Sequence, residues 1–260
     1  MRWDLGFDMV VLKSAQELAR MRQAGRIVAL VLAELEARVK PGITTGELDA
    51  IASKIIAQHH MTPSFLGYHG FPASVCVSVN EQVVHGIPGS RVLHEGDIVS
   101  IDVGAIYQGY HSDAATTLPV GKISPEAERL LNVTRTSLEM GIAQVRPDGR
   151  LWDVISAIQN YVEQHGYNLV RDYQGHGIGR DMHEDPSIPN FLSNNGPRPK
   201  NIRLKPGITL AIEPMVVAKS WKTRVLEDGW TVVTEDGALA AHFEHTVAVT
   251  PEGKEILTRL

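Results

Sequence analysis

Six residues carry the chemistry that can be read in this chain of 260 residues: His85, Asp102 and Asp113, then His176, Glu213 and Glu244. They form two sets, each with one histidine and two acids in the same order. The segments around them repeat. Leu93 to Asp102 and Leu204 to Glu213 both read L-x-x-G-x-x-(V/L)-x-I-(D/E), at an offset of 111. His111-Ser112-Asp113 and His242-Phe243-Glu244 both read H-x-(D/E), and His85-Gly86-Ile87-Pro88 matches His176-Gly177-Ile178-Gly179. Upstream, Val39-Lys40-Pro41 matches Val145-Arg146-Pro147 at an offset of 106, continuing through Glu47/Asp153, Ile56/Val162 and His59/His165. Four matches in the same order indicate a duplication. Two copies are too few for a solenoid, so the expected product is one domain with two similar halves about a pseudo-two-fold axis.

Strand geometry decides where the acids point. Side chains alternate with period two, so in Ile98 to Val103 the Asp102 side chain faces away from Ile101 and Val103. In the last strand His242, Glu244 and Thr246 share a face opposite Phe243 and Val247. An acid inside an apolar strand is costly unless paired or coordinated, and four acids brought together repel. Divalent cations resolve both problems. Carboxylates with one imidazole form a hard-to-borderline donor set that suits Mn, Fe, Co or Zn. A two-metal centre generates a nucleophile near neutral pH and polarises a carbonyl. The bland alternative for each acid alone is a turn cap or a surface ion pair; four acids in duplicated strand contexts favour the metal.

The elements that must hold these residues run helix, helix, strands, then the same again. Ser14 with Glu17 is a capping box for a helix toward Val39, stopped by Pro41-Gly42. Thr44 with Glu47 starts a second helix, ending near His59-His60. Strands are predicted over Ser74 to Val79, Ile98 to Val103 and Ser112 to Leu118. Ser124-Pro125 opens a third helix to Val145, and Leu151 to His165 forms a fourth. Strands recur at Thr209 to Val217, Trp230 to Thr234 and Ala240 to Val249, with a Pro/Asn-rich loop between Pro186 and Pro206. No long linker divides residues 1–260, which read as one domain with halves at about 13–120 and 121–250.

Composition narrows the class. Hydrophobic residues at 43% and charged residues at 21% exclude a disordered or fibrous chain. A net charge of −5 gives no global reason to expect nucleic-acid binding. The single cysteine, Cys76, forms no internal disulfide, which fits a reducing compartment. Met1 to Lys13 carries Asp4 and Asp8 and lacks the order of a signal peptide. The apolar stretch Ile27 to Ala33 is far short of a membrane span. Cytoplasmic localisation, without membrane or sequence-specific nucleic-acid partners, is expected.

The motifs Gly67-Tyr68-His69-Gly70-Phe71-Pro72, Val84-His85-Gly86-Ile87-Pro88, Asp97 to Val103, Gly175-His176-Gly177-Ile178-Gly179-Arg180, Ile212-Glu213-Pro214-Met215 and Phe243-Glu244-His245-Thr246 resemble those of the type I, bacterial-like methionine aminopeptidases. The resemblance runs over nearly the whole chain. It implies the pita-bread α/β fold: two pseudo-two-fold-related halves, mainly antiparallel sheet covered by helices. It implies two divalent cations (Co, Mn, Fe, Zn or Ni) held by Asp102, Asp113, His176, Glu213 and Glu244. Asp113 and Glu244 would bridge the ions, Asp102 would complete one site, and His176 with Glu213 the other. A bridging hydroxide would attack the first peptide carbonyl, releasing an initiator methionine that precedes a small residue. Glu213 would move the proton, His85 would contact the scissile amide, and His183 would stabilise the tetrahedral intermediate. N-terminal-Met peptides and nascent polypeptides are the implied substrates, and a monomer the implied state.

The resemblance also places a methionine pocket at Tyr68, Phe71, Cys76 and Trp230, with His69 nearby; packing in the core is the competing role for each aromatic. Two positions depart from the commonest family pattern: Phe65 stands where a small cysteine often sits, and Met182 where a phenylalanine often precedes the catalytic histidine. Both remain apolar. The Gly175 to Gly179 run lacks the lysine and Ser/Thr of a phosphate loop. Arg198, Lys200, Arg203 and Lys205 read as a solvated basic run, with transient ribosome contact as the alternative. Two rival readings are a prolidase or aminopeptidase P relative, which usually carries an extra N-terminal domain, and a non-catalytic pita-bread binding protein, which typically has lost ligands.

Overall fold

Capping and apolar spacing set the helices. α1 (Ala15–Glu36) opens where Ser14 Oγ accepts from the Glu17 N–H and the Glu17 carboxylate accepts from the Ser14 N–H. Its buried face, Met21, Ala24, Val28, Val31 and Leu35, recurs at three- and four-residue steps. α2 (Thr45–Gln58) has the same reciprocal cap from Thr44 and Glu47. α3 (Pro125–Ala143) is capped by Ser124 with proline at its start. α4 (Leu151–Gln164) buries Leu151, Val154, Ile155, Ile158 and Val162. The computed structural model describes residues 10–193 and 198–260. The expectation for the first nine residues, with Asp4 and Asp8, lies outside the described residues, as do 194–197 of the Pro/Asn-rich loop.

The strands are β1 (Thr62–Pro63), β2 (Val75–Val79), β3 (Gln82–Val84), β4 (Ile98–Tyr107), β5 (Tyr110–Pro119), β6 (Asn168–Leu169), β7 (Gln174–Gly177), β8 (Glu184–Pro189), β9 (Thr209–Ile212), β10 (Met215–Val217), β11 (Thr223–Val225), β12 (Val232–Thr234), β13 (Ala240–His242), β14 (His245–Thr250) and β15 (Gly253–Ile256). Among the described residues they pair antiparallel throughout. In the first half β4 pairs with β2, β5 and β1; in the second the order is β15-β14-β9-β7-β8. α1 packs on β4 and β5, and α3 on β10 and β13. Each half has its own apolar core, and a third cluster around Phe65, Phe71, Cys76 and Met182 contains residues from both.

The halves share hydrogen bonds residue for residue. The Gly42 N–H donates to Leu93 O and the Asp148 N–H to Leu204 O, each at 2.8 Å. The Asp97 N–H donates to His94 O and the Ile208 N–H to Lys205 O, each at 3.1 Å. The bridges Thr44↔Val92 and Arg150↔Arg203 also correspond. Gly96 and Gly207 take φ values of 94° and 93°, which glycine adopts without a Cβ clash. These equivalences follow the sequence offsets of 106 and 111, and the result is the pita-bread α/β fold.

Several expectations are corrected. The strands read as Thr209 to Val217 and Ala240 to Val249 are each cut in two, at Glu213-Pro214 and Phe243-Glu244. Pro214 has no N–H for a ladder, and partners change at this seam: Ile212 faces His245 in one sheet, Met215 faces His242 in the other. His242, Glu244 and Thr246 therefore do not lie on one continuous strand. β4 and β5 run on to a tight hairpin, Tyr107 opposite Tyr110. The start of the predicted Pro/Asn-rich loop belongs to β8. Trp230 precedes β12 rather than opening it: its N–H and that of Thr231 both donate to Asp228 Oδ1 at 2.8 Å, an Asx-type turn. Strands of two to four residues, such as β1, β6 and β7, are too short to show periodicity.

The match of His85 with His176 also changes. His176 faces Ala211 across the β7–β9 ladder. The residue that matches Ala211 is Ser100, and Ser100 faces Ser78 across β2–β4. Ser78, not His85, occupies the rung of His176; its Oγ accepts from the Gly86 N–H at 3.1 Å.

Candidate metal centre and pocket

The two halves meet along β5 and the β13–β14 seam. The Glu244 N–H donates to Ala115 O at 2.9 Å, Thr246 Oγ1 donates to Asp113 O at 2.8 Å, and the Asp113 N–H donates to Thr246 Oγ1 at 2.9 Å. These bonds set Asp113 beside Glu244. Asp102, opposite Ala115 on β4, joins from the first half. Glu213 follows β9 and His176 lies on β7, from the second. All five predicted ligand residues are thereby brought together.

Donor atoms of Asp113, His176 and Glu244 all lie within 4.8 Å of one another, as do those of Glu213, His242 and Glu244. His176 Nε2 is 3.4 Å from Glu213 Oε1. Asp113, His176 and Glu244 are 3%, 7% and 2% exposed. The buried oxygens Asp102 Oδ1, Asp113 Oδ1 and Glu244 Oε1 have no hydrogen-bond partner. Buried carboxylate oxygens without donors are costly, and this donor set fits divalent cations. Burial raises the Asp102 pKa to about 6 and that of Glu213 to about 7. Burial, then neighbouring acids, holds Asp113 and Glu244 well above the carboxylate range. The His176 tautomer is fixed locally: Nδ1 donates to Gly177 O at 2.8 Å, which leaves the Nε2 lone pair facing the acids.

His85 and His183 stand to either side. His85 has φ 58°, a left-handed conformation costly for a residue with a Cβ. Its ring packs edge-on against Tyr173 and Trp230, at 5.6 and 6.4 Å between centroids. Burial lowers its pKa to about 4. The His183 ring lies 4.2 Å from that of His176, and its Nδ1 is 2.7 Å from the Tyr68 hydroxyl. Burial first, then neighbouring histidines, lowers its pKa to about 2. A cleft of about 190 Å³ lined by Lys13, Glu17, Tyr110, Arg180 and His183 adjoins it.

The predicted pocket residues fall in one cluster. Phe65, Phe71, Cys76 and Met182 are buried together, with Tyr68 and Trp230 packed on them. Phe71 and Trp230 meet edge-to-face at 5.2 Å. Cys76 faces Asp102 across the ladder, so this apolar cluster adjoins the acids; burial, then nearby acids, pushes its thiol well above the usual range. His69 is exposed at the edge, its ring 4.3 Å from that of Tyr68. Of the basic run, Arg203 pairs with Asp148 at 3.3 Å and Arg198 lies over Trp152.

Sequence reasoning left His242 out of the candidate site. The signal was present in the repeated H-x-(D/E) motif and in its placement on the Glu244 face, but neither supplied a role.

The sequence profile described as metallopeptidase family M24 matches residues 19–251. Methionine aminopeptidase 1 of Bacillus subtilis is 55% identical over 252 residues, covering 97% of this chain and all of that protein. The Escherichia coli K12 methionine aminopeptidase is 46% identical over 96% of this chain and 94% of its own length. The crystal structure of methionine aminopeptidase from Thermotoga maritima superposes with a TM-score of 0.93 at 46% identity, covering 97% of this chain and 100% of that one. A Bacillus anthracis Xaa-Pro dipeptidase shares the fold at TM-score 0.76 and 22% identity, with 96% of this chain covering 62% of that chain. With its acids and imidazoles in one place beside an apolar cluster, the chain belongs to metallopeptidase family M24, among the bacterial type I methionine aminopeptidases.

Proposed function

We propose that this chain is a hydrolase, a metallo-exopeptidase that removes the N-terminal methionine from nascent polypeptides whose second residue is small. The observation that carries this reading is the meeting of acids from both halves beside a buried apolar cluster, with three of their buried oxygens lacking any donor. Asp102, Asp113, His176, Glu213 and Glu244 are the residues we assign as those that would hold two divalent cations. Cations held there would supply a nucleophile from water at neutral pH and a Lewis acid for the scissile carbonyl.

The rest is done by side chains. Tyr68, Phe71, Cys76, Trp230, Phe65 and Met182 enclose an unbranched thioether chain and exclude water from it, with His69 at the rim. His85, neutral and fixed between two aromatic rings, orients the scissile amide. We assign the His183 proton to Nε2, with Nδ1 as acceptor in its 2.7 Å hydrogen bond with the Tyr68 hydroxyl, so that the ring presents a donor to charge developing on the carbonyl oxygen. Glu213 moves the proton to the leaving amine. We further propose one catalytic domain over residues 1–260, with halves at 13–120 and 121–250, acting as a cytoplasmic monomer whose Arg198 to Lys205 run is solvated, with transient ribosome contact as the alternative. No helix among the described residues is long and apolar enough to cross a membrane.

The test offers Met-Ala-Ser and Xaa-Pro peptides to metal-loaded and chelated protein. Methionine release that vanishes on chelation and returns with Mn, Co or Fe is expected. Cleavage of Xaa-Pro peptides alone would move the chain to the prolidase reading. No cleavage by folded, metal-bound protein would make it a binding protein.

A further inference from the structure

One buried imidazole has no role in this account. His242 ends β13, is 2% exposed, and its main chain is clamped to β5 of the other half. Its N–H donates to Thr117 Oγ1 and the Thr117 hydroxyl donates to its carbonyl, both at 2.8 Å. Thr117 has one proton to give, so the Ser100 hydroxyl, 2.8 Å away, is the donor in the third bond. The main chain that carries the imidazole is therefore held by a fully satisfied network.

The imidazole points at the acids. His242 Nε2 makes no hydrogen bond and lies 3.6 Å from Glu213 Oε2. The other oxygen, Oε1, is 3.4 Å from His176 Nε2. Among the described residues no hydrogen bond reaches the Glu213 carboxylate, so an acceptor without a donor faces a nitrogen without a partner. The two imidazoles flanking it differ. His176 Nε2 is a lone pair, since Nδ1 carries the proton. A carboxylate that gives one oxygen to a cation needs a donor for the other, and partners of this kind tune affinity.

We propose that His242 is a positioning residue of the metal centre. With its proton on Nε2 it donates to Glu213 Oε2, closing the 3.6 Å gap by a few tenths of an ångström, and so aims Oε1 at the cation. This rests on the proposed ligand role of Glu213. The competing role, a second nitrogen ligand beside Glu213 and Glu244, requires an unprotonated Nε2 and makes a different spectrum.

The experiment uses the full chain with Mn(II) as probe, in wild type, His242→Ala, His242→Gln and His176→Ala. Titration calorimetry should show His242→Ala weakening Mn(II) binding about 10- to 100-fold. His242→Gln, whose amide also donates, should recover most of the loss, and it keeps the test open where the alanine variant does not fold. Nitrogen couplings in pulsed electron paramagnetic resonance should report one imidazole in wild type, unchanged in His242→Ala. Two imidazoles, one lost in His242→Ala, would overturn the proposal in favour of a ligand. Mn(II) affinity in His242→Ala equal to wild type would also overturn it. His176→Ala identifies the source of the single nitrogen coupling, and a Glu213→Ala variant separates the two claims: if it keeps the wild-type Mn(II) affinity, the ligand assignment of Glu213 has failed rather than the role of His242.

Discussion

At the same rung of two related ladders the first half carries Ser78 and the second carries His176. The turns that lead into Asp102 and Glu213 share hydrogen bonds in the two halves, yet the serine turns back to the Gly86 N–H while the imidazole faces the acids. The acids themselves remain paired: Asp102 with Glu213, Asp113 with Glu244. Duplication thus supplied a symmetric cage of carboxylates, and substitution at one rung gave it a nitrogen on one side only. The first half's histidine, His85, sits beyond that rung in a left-handed conformation, against Tyr173 and Trp230. On the roles proposed above, the second half's His176 is assigned to ligation and the first half's His85 to substrate.

The most damaging break removes a residue that joins the halves. Glu244→Ala should lose metal and lower methionine release about 10³-fold or more, the effect of several kcal/mol of charge stabilisation; metal content by mass spectrometry alongside the assay checks it. Next comes the contrast between histidines. His176→Ala should lose metal affinity, whereas His85→Ala and His183→Ala should keep it while turnover falls about 10²-fold, the scale of one lost oxyanion-type donor. Metal loss in either of the latter would remove the division of labour drawn above.

A smaller effect concerns pH. Asp102 and Glu213 have folded pKa values of about 6 and 7, raised by burial above their ordinary values. Raised carboxyl pKa values favour the folded state at low pH, and that contribution disappears as pH rises through 6 and 7. The melting temperature of chelated protein should fall between pH 5 and pH 8, and Mn(II) should flatten the fall because the cation takes the charged form. A flat profile without metal would count against the buried acid cluster. The smallest effect sharpens the comparison of halves at the helix starts. Thr44 caps α2 with its side chain, whereas Arg150 makes no side-chain cap on α4. Thr44→Ala should cost about 1 kcal/mol in urea unfolding and Arg150→Ala close to nothing.

The sequence made much of this legible because repeats and caps are local signals. Ser14, Thr44 and Ser124 placed three helix starts, and the L-x-x-G motif placed Asp102 on β4 and Glu213 directly after β9. The family resemblance then supplied Cys76, Trp230 and Met182, which no spacing links. What escaped depended on tertiary pairing. The seam at Glu213-Pro214 and Phe243-Glu244 exists because two sheets exchange partners there, which period-two alternation does not encode. The Ser78–His176 equivalence needed ladder register, so the similar H-G-I motifs were paired instead. His242 was visible as a letter but not as a nitrogen facing Glu213.

Anomalous diffraction from crystals soaked in Mn(II), collected at the manganese edge, would show whether the five side chains proposed as ligands hold cations. Peaks are expected among Asp102, Asp113, His176, Glu213 and Glu244. Peaks elsewhere, or none among these residues at saturating Mn(II), would contradict that assignment.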